Sequence, residues 1–246
     1  MPILLCLFVS LLPAAVLAAE PQPFDLHYAA SYGNFAAAAE RTLQADPAGG
    51  WYMHSLVSVQ LLGRVVSSID ENSHFIWQDD LPLARDYQFE QKGIGSRSRS
   101  LGFATDGTSA TYNINDDSGS IALAGRTFDV LNSGLVLRAR VAAGEIDVNF
   151  NVADRSEVKS YHYHVVGNET VILPAGSFAT VHVERVRDVD SDRTTDLWLA
   201  REHDFVLVKL LQSEPDGDTI TLELKEGLVG GVAINPAADR TPAVAP

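Results

Sequence analysis

Cysteine is almost missing from this chain. Its single copy, Cys6, lies in an apolar N-terminal stretch without the small-residue box that precedes a lipidated cysteine. Once that stretch is removed, disulfides, thiolate metal sites and cysteine nucleophiles are excluded, even in an oxidising compartment. Positive charge is scarce too: 18 Lys and Arg against 32 Asp and Glu leave a formal charge of −14. An acidic protein is repelled by nucleic acid and by anionic lipid surfaces, so nonspecific binding to either is disfavoured. A Gly-x-Ser-x-Gly nucleophile elbow is absent, which leaves serine hydrolysis unsupported. Gly93-Ile94-Gly95 opens like a phosphate loop, but Ser96-Arg97-Ser98-Arg99-Ser100 supplies neither the remaining glycine nor a helix start. Arg97 and Arg99 share a strand face, which reads as solvated surface.

What is present begins with the N-terminus. Ile3 to Leu12 is nearly unbroken apolar sequence, Pro13 interrupts it, and Val16-Leu17-Ala18-Ala19 offers small residues to a signal peptidase. The run is shorter than the ~20 residues needed to cross hydrocarbon. It therefore predicts a cleavable signal peptide over 1–19, with only the amino terminus as its positive charge, and a periplasmic mature chain without a transmembrane span. The remainder, about 230 residues of a chain that is 46% hydrophobic, fits a single β-rich domain over 20–229. From Gly230 to Pro246, Pro, Ala and Gly replace periodic sequence, and this tail is expected to be disordered.

The body of the chain reads as short strands punctuated by turn residues. The best hairpin signal is Asp216-Gly217 between Phe205–Gln212 and Thr219–Lys225. Ile220, Leu222 and Leu224 alternate with polar residues, whereas Phe205–Leu211 is apolar on both faces. Further turns are expected at 47–50, 106–107, 116–119, around Gly167-Asn168 and at Pro174-Ala175-Gly176. They separate strands expected at 24–32, 51–62, 73–78, 86–91, 96–105, 109–115, 145–152 and 158–166. Asp129 to Val141 is the exception: Val130, Leu131, Leu135, Leu137 and Val141 form a helical stripe behind an Asp129 cap. The fold class is mainly β, a strongly curved antiparallel sheet or half-barrel with one covering helix.

Several residues bear on chemistry. His162 and His164 project from one strand face, and His182 joins them if the strands are neighbours, but no clear third ligand completes a metal site. The plainer reading keeps them on a polar face while Tyr161 and Tyr163 pack. Asp188, Asp190 and Asp192 open like a calcium loop, yet Arg193 stands where glycine is needed and Leu199 where a bidentate glutamate is needed. No metal and no cofactor are expected. Trp51, Tyr52, Trp77, Tyr87 and Trp198 are candidates to line a concave apolar surface; the first four could equally fill the core, and for Trp198 core packing is the plainer reading.

The segments Glu157–Val186 and Thr194–Gln212, the Asp216-Gly217-Asp218 turn and Thr221–Lys225 resemble domain of unknown function 3108. The likeness extends more weakly to Asp129-Val130-Leu131-Asn132-Ser133 with Arg138, and to Pro82 with Tyr87. Leu207 departs from it, standing where such sequences often carry proline, and Ala36–Ala39 matches poorly. The resemblance implies an exported, mainly β protein of Gram-negative bacteria and brings no enzymatic activity. Three functions follow as expectations: a noncatalytic envelope protein binding a lipid, a lipoprotein or another apolar ligand; an envelope enzyme using His162, His164 and His182; or a module that meets another envelope protein.

Overall fold

The computed structural model describes residues 20–187 and 191–234. The expected signal segment 1–19, Asp188 to Asp190 of the acidic loop, and residues 235–246 of the expected tail lie outside the described residues. The chain runs β1 (Phe24–Tyr32), β2 (Phe35–Ala45), β3 (Trp51–Leu61), β4 (Arg64–Gln78), β5 (Leu81–Gly93), β6 (Arg97–Phe103), β7 (Ser109–Ile114), β8 (Asp117–Ala122) and β9 (Thr127–Asp129). Helix α1 (Ser133–Ala142) follows, then β10 (Asp147–Asp154), β11 (Glu157–Leu173), β12 (Gly176–Val186), β13 (Thr194–Ala200), β14 (Val206–Ser213), β15 (Thr219–Val229) and β16 (Val232–Ala233).

Among the described residues all sixteen strands belong to one sheet, ordered β8-β7-β6-β5-β4-β3-β2-β1-β15-β14-β13-β12-β11-β10-β9, with β16 beside β15. The order is two meanders joined by β1 against β15. Every pairing is antiparallel except β9 with β10. Parallel neighbours need a crossover, and α1 is that crossover. The sheet does not close, since β8 and β9 end it without pairing to each other.

Contacts nonetheless join strands far apart in the ladder. β4 and β9 stand ten places apart, about 48 Å across a flat sheet, yet Ser73 Oγ donates to Asp129 Oδ2 at 2.6 Å. Arg99 on β6 meets Asp154 on β10 at 3.2 Å. The Arg126 guanidinium, just before β9, donates to the carbonyls of Gln78 and Leu81 at the β4–β5 turn. The sheet thus folds back on itself with its ladder open.

Alternation places the core. Phe24, Leu26 and Tyr28 of β1 and Val148, Phe150 and Val152 of β10 are buried, with more exposed residues between them. One apolar cluster gathers β1–β6, the start of α1 and β14–β15. A second gathers Phe128, Val136, Val141, Phe150, Tyr161, Tyr163, Val181 and Val183. There Phe128 meets Phe150 edge to face at 5.9 Å, a pairing worth about 0.5–1.5 kcal/mol beyond area burial. A ten-residue helix is too short to persist alone. α1 exists because Leu135, Val136, Leu137 and Val141 are buried, and it ends where Gly144 takes φ +88°, a left-handed position suited to glycine.

Several expectations are corrected. The helix starts at Ser133 with Asn132 as its N-cap, and Asp129 lies on β9. Gly167-Asn168 is not a turn: β11 continues through it to Leu173, with a register irregularity between Val165 and Gly167. β4 begins at Arg64, well before the expected Ser73. The turn expected at 116–119 sits earlier, so β8 already starts at Asp117. The ladder also passes the expected boundary at 229, where β16 pairs with β15 and Ile234 is buried. Gly93-Ile94-Gly95 is the β5–β6 turn, with φ +83° at Gly93, where a Cβ would come within 2.1 Å of the Val66 carbonyl oxygen. Chain reversal accounts for those glycines.

Candidate functional site

A cavity of about 220 Å³ lies between α1 with its leading turn and the inward faces of β1, β2, β3, β11, β12, β13 and β14. Phe24, Leu26, Leu131, Leu135, Leu207 and Leu210 supply apolar wall. Strand alternation explains this for most of them, and both Val206 and Leu207 contribute from β14. The β13–β14 register is irregular between Trp198 and Leu199, where β14 skips Val208, and this sets Leu207 opposite Leu199 on the side that Leu210 shares with Leu197.

The polar part of the wall is unexpected. Arg41, Arg138 and Arg185 line the cavity with Tyr28, Tyr161 and Tyr163, and among the described residues no Asp or Glu does. Arg138 projects from α1 and holds the Asp204 carboxylate and carbonyl, closing the β13–β14 turn onto the helix. Burial pulls its pKa down against the pull of Asp204. Tyr28 donates to the Leu207 carbonyl at 2.8 Å, and burial pushes its phenol up to about 12. Arg185 lies 3.5 Å from the centre of the Tyr161 ring, a cation–π contact. Arg41 has no ion pair among the described residues, and its buried Nε has no hydrogen-bond partner there.

Sequence reading passed over these arginines, although a signal existed. Arg41 falls in register with Ala39 and Leu43, and Arg185 with Val181 and Val183, all four of which are buried. A cation at an inward position of an apolar strand face is an anomaly worth marking.

The turn that leads into α1 is fixed by a buried polar knot. Asp129 Oδ1 accepts the backbone N–H groups of Leu131 and Asn132, while Oδ2 accepts Ser73 Oγ and Asn132 Nδ2. Asp129, Asn132 and Ser73 are fully buried. Burial pushes the Asp129 carboxyl up to about 7, against the lowering effect of Ser73 and the two N–H groups. Nearby, Tyr87 donates to Glu71, and Arg99 bridges the Tyr87 hydroxyl and Asp154.

The five aromatic candidates do not form one surface. Trp51 is buried in the larger cluster, while Tyr52 lies on the opposite face of β3, bonded to Asn72 and 4.8 Å from the His74 ring. Trp77 packs against the larger cluster and borders a separate cleft with Leu135 and Ala139. Tyr87 is buried, and burial followed by the Glu71 charge drives its phenol pKa far up. Leu197 and Leu199 line the cavity, whereas Trp198 turns to the other side of β13, stacked on His182 at 4.7 Å. None of the five lines the cavity.

The histidines divide likewise. His162 and His164 share Asp147, at 3.5 and 2.8 Å, and the hydrogen bond from His164 holds that carboxyl below the usual carboxylate range. His182 sits apart between Asp196 at 2.8 Å and Glu169 at 3.5 Å. Among the described residues no group of three or more His, Cys, Asp or Glu side chains is placed to hold a metal ion.

Among the described residues the molecule is mainly β, one large open sheet with a single helix. The structure is similar to the "Beta-barrel-like Protein of Domain of Unknown Function DUF1849 from Brucella abortus", with a TM-score of 0.58 and 10% identity over 86% of this chain and 99% of that one. At that identity the likeness concerns the fold alone. The chain belongs to the family described as "Protein of unknown function (DUF3108)", whose model matches residues 24–225. No curated protein matches it. No helix among the described residues is long and apolar enough to cross a membrane.

Proposed function

We propose that this chain is a noncatalytic, exported protein of the periplasm that binds a lipid, a lipoprotein acyl chain or a similar apolar ligand inside a strongly curved half-barrel covered by α1. One observation carries the reading: the cavity of about 220 Å³ walled by side chains of α1 and the concave strands. That volume is below the ~300–1,000 Å³ of drug-sized sites, so it suits a short chain or the end of a longer one. Native mass spectrometry of gently purified protein is the test. A copurifying amphiphile of defined mass is the expected result, and protein that neither carries nor takes up any lipid would remove the reading.

Export is part of the same proposal, supported by the apolar run at 3–12 and the small residues at 16–19. Material from the periplasm of a Gram-negative host should begin at Ala19 or Glu20 by N-terminal mass spectrometry. Intact Met1 in the membrane fraction would replace that reading with an anchor.

A further inference from the structure

We infer that the cavity takes an amphiphile with an anionic head, a carboxylate or a phosphate monoester on an apolar chain, and that Arg41 and Arg185 hold the head. This deepens the ligand-binding reading above and rests on it. Its ground is a charge imbalance. In a chain of formal charge −14, the described residues of the cavity wall include three arginines and no carboxylate. Arg138 is accounted for by Asp204. Arg41 and Arg185 have no ion pair among the described residues, and Arg185 lies over the face of Tyr161.

Other arginines with a buried, unbonded Nε show the contrast. Arg99, Arg126 and Arg187 share that feature with Arg41, but Arg99 pairs with Asp154 and Arg126 with Asp79, while Arg187, unpaired among the described residues, reaches Thr195 of the cavity wall. Arg41 and Arg185 are half-buried, with the Arg41 Nε kept from water, and a partly desolvated guanidinium without a counter-charge costs free energy that a bound anion offsets. Its planar fork matches the two oxygens of a carboxylate or phosphate. The setting adds further positive charge. Arg187 Nη2 donates to Thr195 Oγ1 at 2.7 Å, Thr195 lines the cavity, and burial together with repulsion from Arg185 and Arg193 pulls the Arg187 pKa down. The apolar wall from Phe24, Leu26 and Leu135 then receives the chain.

The probes are dodecanoate, dodecanol and inorganic phosphate, titrated into the delipidated mature chain by calorimetry. Dodecanoate should bind at least about tenfold more tightly than dodecanol, the effect of one charge-assisted hydrogen-bonded contact. Arg41→Gln and Arg185→Gln should each weaken dodecanoate about tenfold or more and change dodecanol less than about threefold. Equal binding of acid and alcohol to the unmodified protein would overturn the anionic head and leave the apolar-ligand reading standing. Absence of binding by both would overturn that reading and the inference together. Inorganic phosphate binding as tightly as dodecanoate would reduce the site to a plain anion site. If either variant fails to fold, the comparison on the unmodified protein still decides.

Discussion

Asp129→Ala should lower the unfolding free energy by about 3–5 kcal/mol, a large share of the 5–15 kcal/mol typical of a domain. The substitution removes one acceptor group from four donors at once: the N–H groups of Leu131 and Asn132, the Ser73 hydroxyl and the Asn132 amide. Those groups are buried, and each donor left without an acceptor costs about 1–3 kcal/mol. Partial relaxation keeps the total below the sum. Urea unfolding measures it, and a loss under about 1 kcal/mol would mean the knot is not what holds α1. The cavity should suffer as well, because Val130, Leu131, Ser133, Leu135 and Leu137 of the same segment form its wall.

The same carboxyl gives stability a pH dependence. Its folded pKa of about 7 lies above the ordinary carboxylate value near 3.9, so between those limits the folded state binds a proton that the unfolded state does not. The stabilising contribution is therefore full below about pH 4 and is lost as pH rises through about 7. Other groups add slopes of their own, so the measurement is a difference. Subtracting the pH profile of Asp129→Asn from that of the unmodified protein should leave a decline confined to that window.

Much of the fold was legible because one signal, period-two alternation bounded by turn chemistry, is local. β1 falls at the expected 24–32, and the β14–β15 hairpin closes around Asp216-Gly217 as its turn residues dictate. β2 was not legible: Ala36 to Ala39 carries too little contrast between its faces to reveal a strand, and pairing with β1 and β3 creates it. Gly167-Asn168 misled for a related reason, since glycine can mark either a turn or a bulge and only the partner β12 decides. The meeting of β4 with β9 was beyond reach, because no local pattern encodes which distant strands a curled sheet brings together. The aromatic candidates fell short as a site because large rings fill cores in general. The information lay in the cations at inward positions, Arg41 and Arg185, where alternation demands apolar residues.

Trp198→Ala should cost about 3–5 kcal/mol of stability while leaving retention of an amphiphile by the folded protein unchanged. From sequence this tryptophan has two readings, core packing as the plainer one and cavity wall as the other, and alternation along β13 separates them. Leu197 and Leu199 face the cavity, and the indole between them faces away. It is nearly flat against the His182 ring, with 5° between planes, and the Lys209 ammonium lies 4.5 Å from its centre. Its Nε1–H donates to the Glu169 carboxylate on β11, so the ring ties β11, β12, β13 and β14 together. Removing it exposes packed surface and takes one hydrogen bond from the Glu169 carboxylate, which keeps His182 at 3.5 Å, but touches no residue of the cavity wall. Leu197→Trp is the converse change, placing an indole on the cavity side of the same strand. It should reduce lipid retention and cost stability by less than about 1.5 kcal/mol if the cavity accepts the ring. Urea unfolding and native mass spectrometry on both variants separate the two roles. Loss of bound lipid from Trp198→Ala under conditions where it remains folded would place the ligand on the His182 side of β13 and remove the cavity from the mechanism.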